Sequence, residues 1–532
     1  QAFLLGLSQA NDGMAVFDRG YGFKNRTHIF VDDDTPIATA ADDFGYGNGL
    51  GNERQELPSI QAAFNSVVNG GFVQVAGGTY TGTAATNDLV HLTTTGTANI
   101  GGLTLNGAGT TIAGTYSANG AGFSFGTPIV LTGNLSLTTT GAAAITTGTI
   151  NGTAAGAQTL TVNAAGPVSM GSLGAATRLG TTTIGGAGAK TLTGSTYNAN
   201  SLTFSGPVTL TQALTTFNST QSGSAAGNIT FNGNIFGTAN GAQSVNFIAG
   251  NGAGAKSSNG DVTIQNAGTQ AVKLGNMTVN SDDFSAKTIW LAADYNATMT
   301  GNQVFSSQTL NAGGNVNSQV GGNASGPVNS GGNVNMGAGG NVSGNISGGN
   351  VTVSGSNVNS NITATNNANV TAQNTYTGSV NANSGTINAS TVDADVSGGS
   401  FTVNANSGSV TGSGNVTSGG GAITVNGQKQ SGGVEGEFGQ IIVEGFVLPE
   451  GAIVTEGGDI VLPQGLAIGL ISPAAGEGAT EPKVIFVRSV QRLGALLADG
   501  YSAIIIDLDS GFSDEEQEMA MTRSDIQDLG RN

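Results

Sequence analysis

The stretch from about Leu310 to Val425 repeats one short phrase at a nearly fixed interval, and few folds are open to a chain that does so. Gly313-Gly314-Asn315-Val316-Asn317 returns eighteen residues later as Gly331-Gly332-Asn333-Val334-Asn335, and Gly348-Gly349-Asn350-Val351 follows seventeen further on. A second phrase, Gly321-Gly322-Asn323-Ala324-Ser325-Gly326, reappears as Gly339-Gly340-Asn341-Val342-Ser343-Gly344, again eighteen apart. Between the glycines lie only short alternations such as Val351-Thr352-Val353, Phe401-Thr402-Val403 and Ile423-Thr424-Val425. A period near twenty, short alternating strands and Gly/Asn corners are the pattern of a solenoid. Helix formers are missing here, so the coils are made of strands: an all-β parallel β-helix.

Composition narrows the alternatives. Collagen needs Gly at every third place with abundant Pro, whereas this chain has 89 Gly against 10 Pro in 532 residues. A disordered chain keeps high charge and few β-branched residues. Here only 9% of residues are charged, and Val, Ile and Thr abound. Nine of the 33 acidic residues lie in 1–60 and seventeen in 435–532, so most of the net charge of −18 sits at the two ends. The near-neutral middle lacks the basic stripe that a phosphate backbone requires, which argues against nucleic acid. Without cysteine there is no disulfide or thiolate metal site, and no apolar run is long enough to span a bilayer as a helix. The chain begins at Gln1 rather than at methionine, as a processed or trimmed product would.

Residues 1–56 read as an irregular leader. Its Phe3, Leu4, Leu5 and Leu7 form a short apolar segment suited to completing a neighbour's sheet. Further on, Asp32, Asp33, Asp34, Asp42 and Asp43 cluster around Gly-rich turns. Calcium takes six to eight oxygens on such a loop; the bland alternative is a solvated loop neutralised by Arg19, Lys24, Arg26 and Arg54. In 57–82, Ile60, Ala63, Phe64 and Val67 recur at helical spacing, Gly70-Gly71 ends the helix, and Phe72-Val73-Gln74-Val75 alternates as a strand. This string, with Gly78 and Tyr80 after it, resembles the first coil of pectin-lyase-like right-handed β-helix proteins. The resemblance implies a helical cap over the open end of the coil stack, and it carries no activity.

From 83 to about 310 the coils are larger. Apolar strands follow Pro128, Pro167 and Pro207, 39 and 40 residues apart, which suggests two coils of about twenty residues between successive prolines. Thr and Ser take outward places in strands such as Leu160-Thr161-Val162, while Leu, Val, Ile and Phe point inward. The only tryptophan, Trp290, is read as packed, with an exposed carbohydrate platform as the alternative. Asparagines at equivalent corners of 310–430 are placed to form amide ladders from coil to coil. Residues 431–532 differ. There Val484–Val487, a helical pattern over Val490–Ala498 and Ala503–Ile506 read as strand–helix–strand, a small parallel α/β cap or docking module. An acidic helix follows from Ser513.

Catalysis on such a fold would need paired carboxylates on an outward face. Asp393 and Asp395 are two apart and so point the same way on a strand, and Asp261, Asp282 and Asp283 are a weaker option. The Asp393 stretch has no Arg, Lys or His nearby, so the reading is not an enzyme, with a polysaccharide lyase or hydrolase kept as an alternative. The Gly-Gly-Asn-Val phrases and Asn369-Val370-Thr371-Ala372-Gln373-Asn374 also look like the repeats of filamentous haemagglutinins and other large bacterial exoproteins. The Asn-Pro-Asn signature of that family's secretion domain is absent from these residues. The resemblance implies a secreted, extracellular bacterial surface protein. The expectation is a β-helix of roughly nineteen coils spanning 57–430, whose identical copies join head to tail into a filament, sheath or S-layer-like polymer. An adhesin binding surface glycans is the alternative, and calcium is the one cofactor the leader acids suggest.

Overall fold

The computed structural model describes residues 26–32, 56–57, 59–221, 226–250, 259–305 and 309–410, together with shorter segments from 416–418 to 501–507. The chain is a parallel β-solenoid of about 16 turns, with two short helices among the described residues. It divides into two compact units, Gln1–Gly301 and Asn302–Asn532.

In the first unit the coils stack on three faces, and long strands such as Val90–Leu105 and Thr196–Phe204 run across more than one of them. Face A stacks Ile29, Val73, Leu92 and Ile112 in register, and later Tyr197, Phe217, Phe247 and Val279. Face B stacks Leu135, Leu160, Thr182, Leu202, Ile229, Val262 and Phe284. Face C runs through Ile145, Val168, Lys190, Val208 and Ile235. Strand side chains alternate, so Leu160 and Val162 are buried while Thr161 between them is exposed. The interior fills with stacked apolar columns. Phe204 lies flat on Phe231 with ring centroids 4.7 Å apart, Phe217 on Phe247 at 5.6 Å, and the two pairs meet edge to face.

Coil length varies without disturbing this register. Thr182 to Leu202 is 20 residues, and Ile229 to Val262 is 33. Pro167 and Pro207 do precede the same face two coils apart, through Val168, Lys190 and Val208. Pro128 does not belong with them, because Ile129 pairs with Ile150 on face A whereas Val168 pairs with Ile145 on face C.

The first coil is closed by helix α1, Ile60–Ser66. Ser59 caps it by accepting the Ala62 N–H at 3.1 Å, and Ile60, Ala63 and Phe64 are its buried residues. Arg26–Val31, read from the sequence as part of an irregular leader, is a strand lying parallel between Glu56–Leu57 and Val67–Val75.

In the second unit the coils shorten and regularise. Face D stacks Val316, Val334, Val351 and Ala368; face E stacks Ala324, Val342, Val358 and Tyr376; face F stacks Leu310, Val328, Ile346 and Ile362. Steps along these columns are 18, 17 or 16 residues, so the repeated phrases of the sequence fall directly above one another. The last parallel strands are covered by antiparallel returns: Ile441–Val443 pairs with Phe446–Val447, and Val434–Gly436 with Ile453–Val454. Helix α2, Val490–Ala498, lies against the strands Ile423–Lys429 and Ile441–Val443.

The strand–helix–strand order read over 484–506 is present as Val484–Phe486, α2 and Ser502–Asp507, but the unit is not a purely parallel one. Val484–Phe486 and Ser502–Asp507 are not neighbours, because Leu466–Ile471 lies between them and runs antiparallel to both. The crossover through α2 is present, but its two strands flank a third, giving a three-stranded sheet. The acidic segment from Ser513 lies outside the described residues.

Candidate functional site

The corners are built on side-chain amides that reach along the stack. The Asn333 N–H donates to Asn315 Oδ1 at 2.9 Å, and the Asn350 N–H and Nδ2 both donate to Asn333 Oδ1 at 2.9 Å. Asn367 continues the ladder by donating to Asn350 Oδ1 at 3.3 Å. A second ladder climbs Asn302, Asn323, Asn341 and Asn357, with steps of 2.8–2.9 Å. The lower rungs of both ladders satisfy a backbone N–H, of Asn333, Asn350, Asn323 and Asn341, while the last rung of each joins side-chain amide to side-chain amide.

This geometry explains the carboxylates of the first unit. The Asp261 N–H donates to Asn228 Oδ1 at 2.9 Å, and the Asp283 N–H donates to Asp261 Oδ1 at 3.3 Å. Asp261 thus stands in an asparagine's place and caps the next coil. Asp282, nearly buried, accepts the Thr300 hydroxyl at 2.9 Å, and Asn259 donates to that same hydroxyl oxygen at 3.1 Å. These acids are parts of corners. Asp393 and Asp395 do share an outward face as their spacing implied, above Thr377 and Ser379 of the preceding coil. That coil supplies hydroxyls and no Lys, Arg or His.

Of the residues read as a calcium loop, only Asp32 is described. It follows the Arg26–Val31 strand, is buried, and donates its N–H to the Leu57 carbonyl at 3.2 Å. Asp33, Asp34, Asp42 and Asp43 lie outside the described residues, as do Phe3, Leu4, Leu5 and Leu7. Among the described residues no three His, Cys, Asp or Glu side chains gather as a metal site.

The most distinctive surface feature is on face A near α1. His28, Phe72 and His91 stand in register on three successive coils. His28 lies flat on Phe72 with centroids 4.7 Å apart and planes 8° apart, and His91 covers the other side at 4.5 Å and 29°. These are the chain's only two histidines, and Phe72 remains 46% exposed. His91 Nδ1 is 2.9 Å from the Thr111 hydroxyl on the next coil. The rings cover one another's faces, so the column offers ring edges and imidazole nitrogens to a ligand. Spacings of 44 and 19 residues hide it in the sequence, since only the coil lengths bring these positions together. Trp290, expected in the core, takes the outward place between buried Ile289 and Leu291 and is half-buried.

A repeated turn also went unread. Gly152-Thr153-Ala154-Ala155-Gly156-Ala157-Gln158 and Gly237-Thr238-Ala239-Asn240-Gly241-Ala242-Gln243 share one design. In each, the glutamine Oε1 accepts two successive backbone N–H groups, from Thr153 and Ala154 or from Thr238 and Ala239. Gly156 and Gly241 supply φ values of 75° and 73°.

No family model, curated protein or solved structure matches the chain.

Proposed function

We propose that this chain is a structural protein of a bacterial cell surface, exported and assembled from identical copies into a filament, sheath or S-layer-like polymer. The observation that carries the reading is the in-register amide ladder of 302–367, in which the polar side chains of the corners are used to hold coil to coil. The outward faces support it, being rows of Thr, Ser and Asn with little charge. The helix-and-strand opening at 59–80 and the Gly-Gly-Asn-Val phrases support kinship with β-helical exoproteins, and through it an extracellular site without catalysis. Negative-stain microscopy of the purified chain, with and without calcium, tests the reading. Ordered filaments or sheets support it, and dispersed particles under both conditions reject it.

The His28–Phe72–His91 column favours a second reading, an adhesin that engages surface glycans through exposed aromatic edges. A glycan array answers it: binding that disappears in Phe72→Ala supports the adhesin, and a blank array rejects it.

A further inference from the structure

Phe72 shows solvent its edge and neither of its faces. His28 covers one face with centroids 4.7 Å apart, and His91 covers the other at 4.5 Å. The ring is nonetheless 46% exposed, the one exposed phenylalanine among the described residues. An aromatic ring carries negative charge density on its faces and positive density on its edge. A sugar that stacks its C–H face on a ring therefore finds no bare face at Phe72. It meets a rim of positive potential instead.

The imidazoles add directed donors to that rim. His91 Nδ1 is 2.9 Å from the Thr111 hydroxyl, and His28 Nδ1 is 3.3 Å from the Thr27 hydroxyl. A hydroxyl that donates to Nδ1 sets the ring proton on Nε2, the nitrogen farther from the backbone. With that tautomer assigned to both rings, the column holds two Nε2–H donors two coils apart, about 9–10 Å along the stack. Gln74 and Thr93, two residues beyond Phe72 and His91 and in register with each other, are uncharged, so neither repels an anion.

We propose that this column recognises an acidic polysaccharide, with His28 and His91 donating from Nε2 to carboxylate oxygens of the sugar chain and the Phe72 edge lying between them. This rests on the adhesin reading of the same column and narrows its ligand from glycans in general to those that carry carboxylates. Hydrogen bonds to an ionised acceptor are shorter and stronger than those to a neutral hydroxyl, so two such donors favour a uronate over a neutral sugar. A peptide of Asp and Glu offers the same anion, but an extended peptide binds by adding a strand to a free sheet edge. No such edge lies under the column. Arg26–Val31 sits between Glu56–Leu57 and Val67–Val75, and Val67–Val75 pairs in turn with Val90–Leu105. A sugar chain needs no strand edge and can lie along the stack, across all three rings.

Calorimetry on the full-length chain tests this, with hyaluronan and alginate fragments set against dextran and cello-oligosaccharides of like length. At least one of the acidic fragments is expected to bind more than about tenfold tighter than the neutral ones, and to lose affinity as salt rises. His28→Phe and His91→Phe keep a ring in the column and remove its donor, so each should weaken that binding by about tenfold. His28 is exposed and His91 half-buried, so neither change should move the urea midpoint. Neutral fragments that bind as tightly as acidic ones overturn the inference and leave the adhesin reading standing. So does acidic binding that is unchanged in the His28→Phe, His91→Phe double variant. Polyglutamate that binds as tightly as the acidic fragments overturns the choice of a sugar. A panel in which no sugar binds overturns the inference and the adhesin reading together.

Discussion

Gln61 meets Ala85 with both ends of its side-chain amide. The Ala85 N–H donates to Gln61 Oε1 at 2.7 Å, and Gln61 Nε2 donates back to the Ala85 carbonyl at 3.2 Å. Ala85 lies on Gly78–Thr86, which pairs with the coil above through Val90–Leu105. A glutamine on α1 therefore takes the place of a missing strand beside it.

Removing that stand-in should loosen the first coil. Gln61→Leu keeps the bulk but leaves both Ala85 groups without the amide, at a cost of about 1–2 kcal/mol. Gln61→Glu keeps the acceptor and loses the donor, and should fall between. Urea denaturation followed by circular dichroism decides it. Identical midpoints for all three proteins would remove Gln61 from the cap.

A corner aspartate should behave like an asparagine. Asp261→Asn retains the Oδ1 that accepts the Asp283 N–H, so its stability should stay within about 0.5 kcal/mol of wild type. Asp261→Leu removes the acceptor and should cost about 1 kcal/mol. Thermal melts of the two variants separate a capping role from a chemical one; equal losses would contradict the former.

Among core substitutions, Phe217→Ala should be one of the most damaging in the first unit. Its ring lies between Tyr197 at 5.2 Å and Phe247 at 5.6 Å, with Phe204 and Phe231 edge-on beside it. Truncation leaves a ring-sized cavity in a fully buried column and should cost about 3–5 kcal/mol. Phe217→Leu should recover much of that in the same denaturation series.

Four buried tyrosines, Tyr116, Tyr197, Tyr295 and Tyr376, set the alkaline limit. Burial raises the phenol pKa of each above its ordinary value near 10. The folded chain then holds protons that the unfolded chain releases, so stability is intact below about pH 10 and declines as pH rises beyond it. A spectrophotometric titration should show the tyrosinate of these residues appearing together with loss of β structure. Tyrosinate from all four in a still-folded chain would refute the assignment.

Much of the second unit was legible from residue spacing. The eighteen-residue return of Gly-Gly-Asn-Val-Asn is the register itself, with Val316 opposite Val334 and Asn317 opposite Asn335. Local signals placed α1 too, through the apolar spacing of Ile60, Ala63 and Phe64, but the helix ends at Ser66 and Gly70-Gly71, read as its stop, lie inside the strand Val67–Val75. What escaped was set by distant partners. Arg26–Val31 holds the strand formers Thr27, Ile29, Phe30 and Val31 but runs straight into Asp32-Asp33-Asp34, and its partners, Val73 and its neighbours, lie more than forty residues away. Leu466–Ile471 separates two strands that look adjacent along the chain, because sheet order need not follow chain order. The paired Gly-Thr-Ala-x-Gly-Ala-Gln turns were readable, 85 residues apart, but a search tuned to twenty passes over them.

The corner glycines lie directly above one another: a Cβ on Gly331 would meet the Gly313 carbonyl at 2.4 Å, and one on Gly339 the Gly321 carbonyl at the same distance. Neither member of such a pair can drift alone, yet a whole coil can leave at once. Excising 313–330 joins Ala312 to Gly331 and restores Ala-Gly-Gly-Asn-Val across the scar. Point mutation is therefore a poor route for change in this region, and slippage between near-identical gene segments is an open one. Descendants of such a gene would differ in how many copies of the phrase they hold while agreeing closely on its spelling.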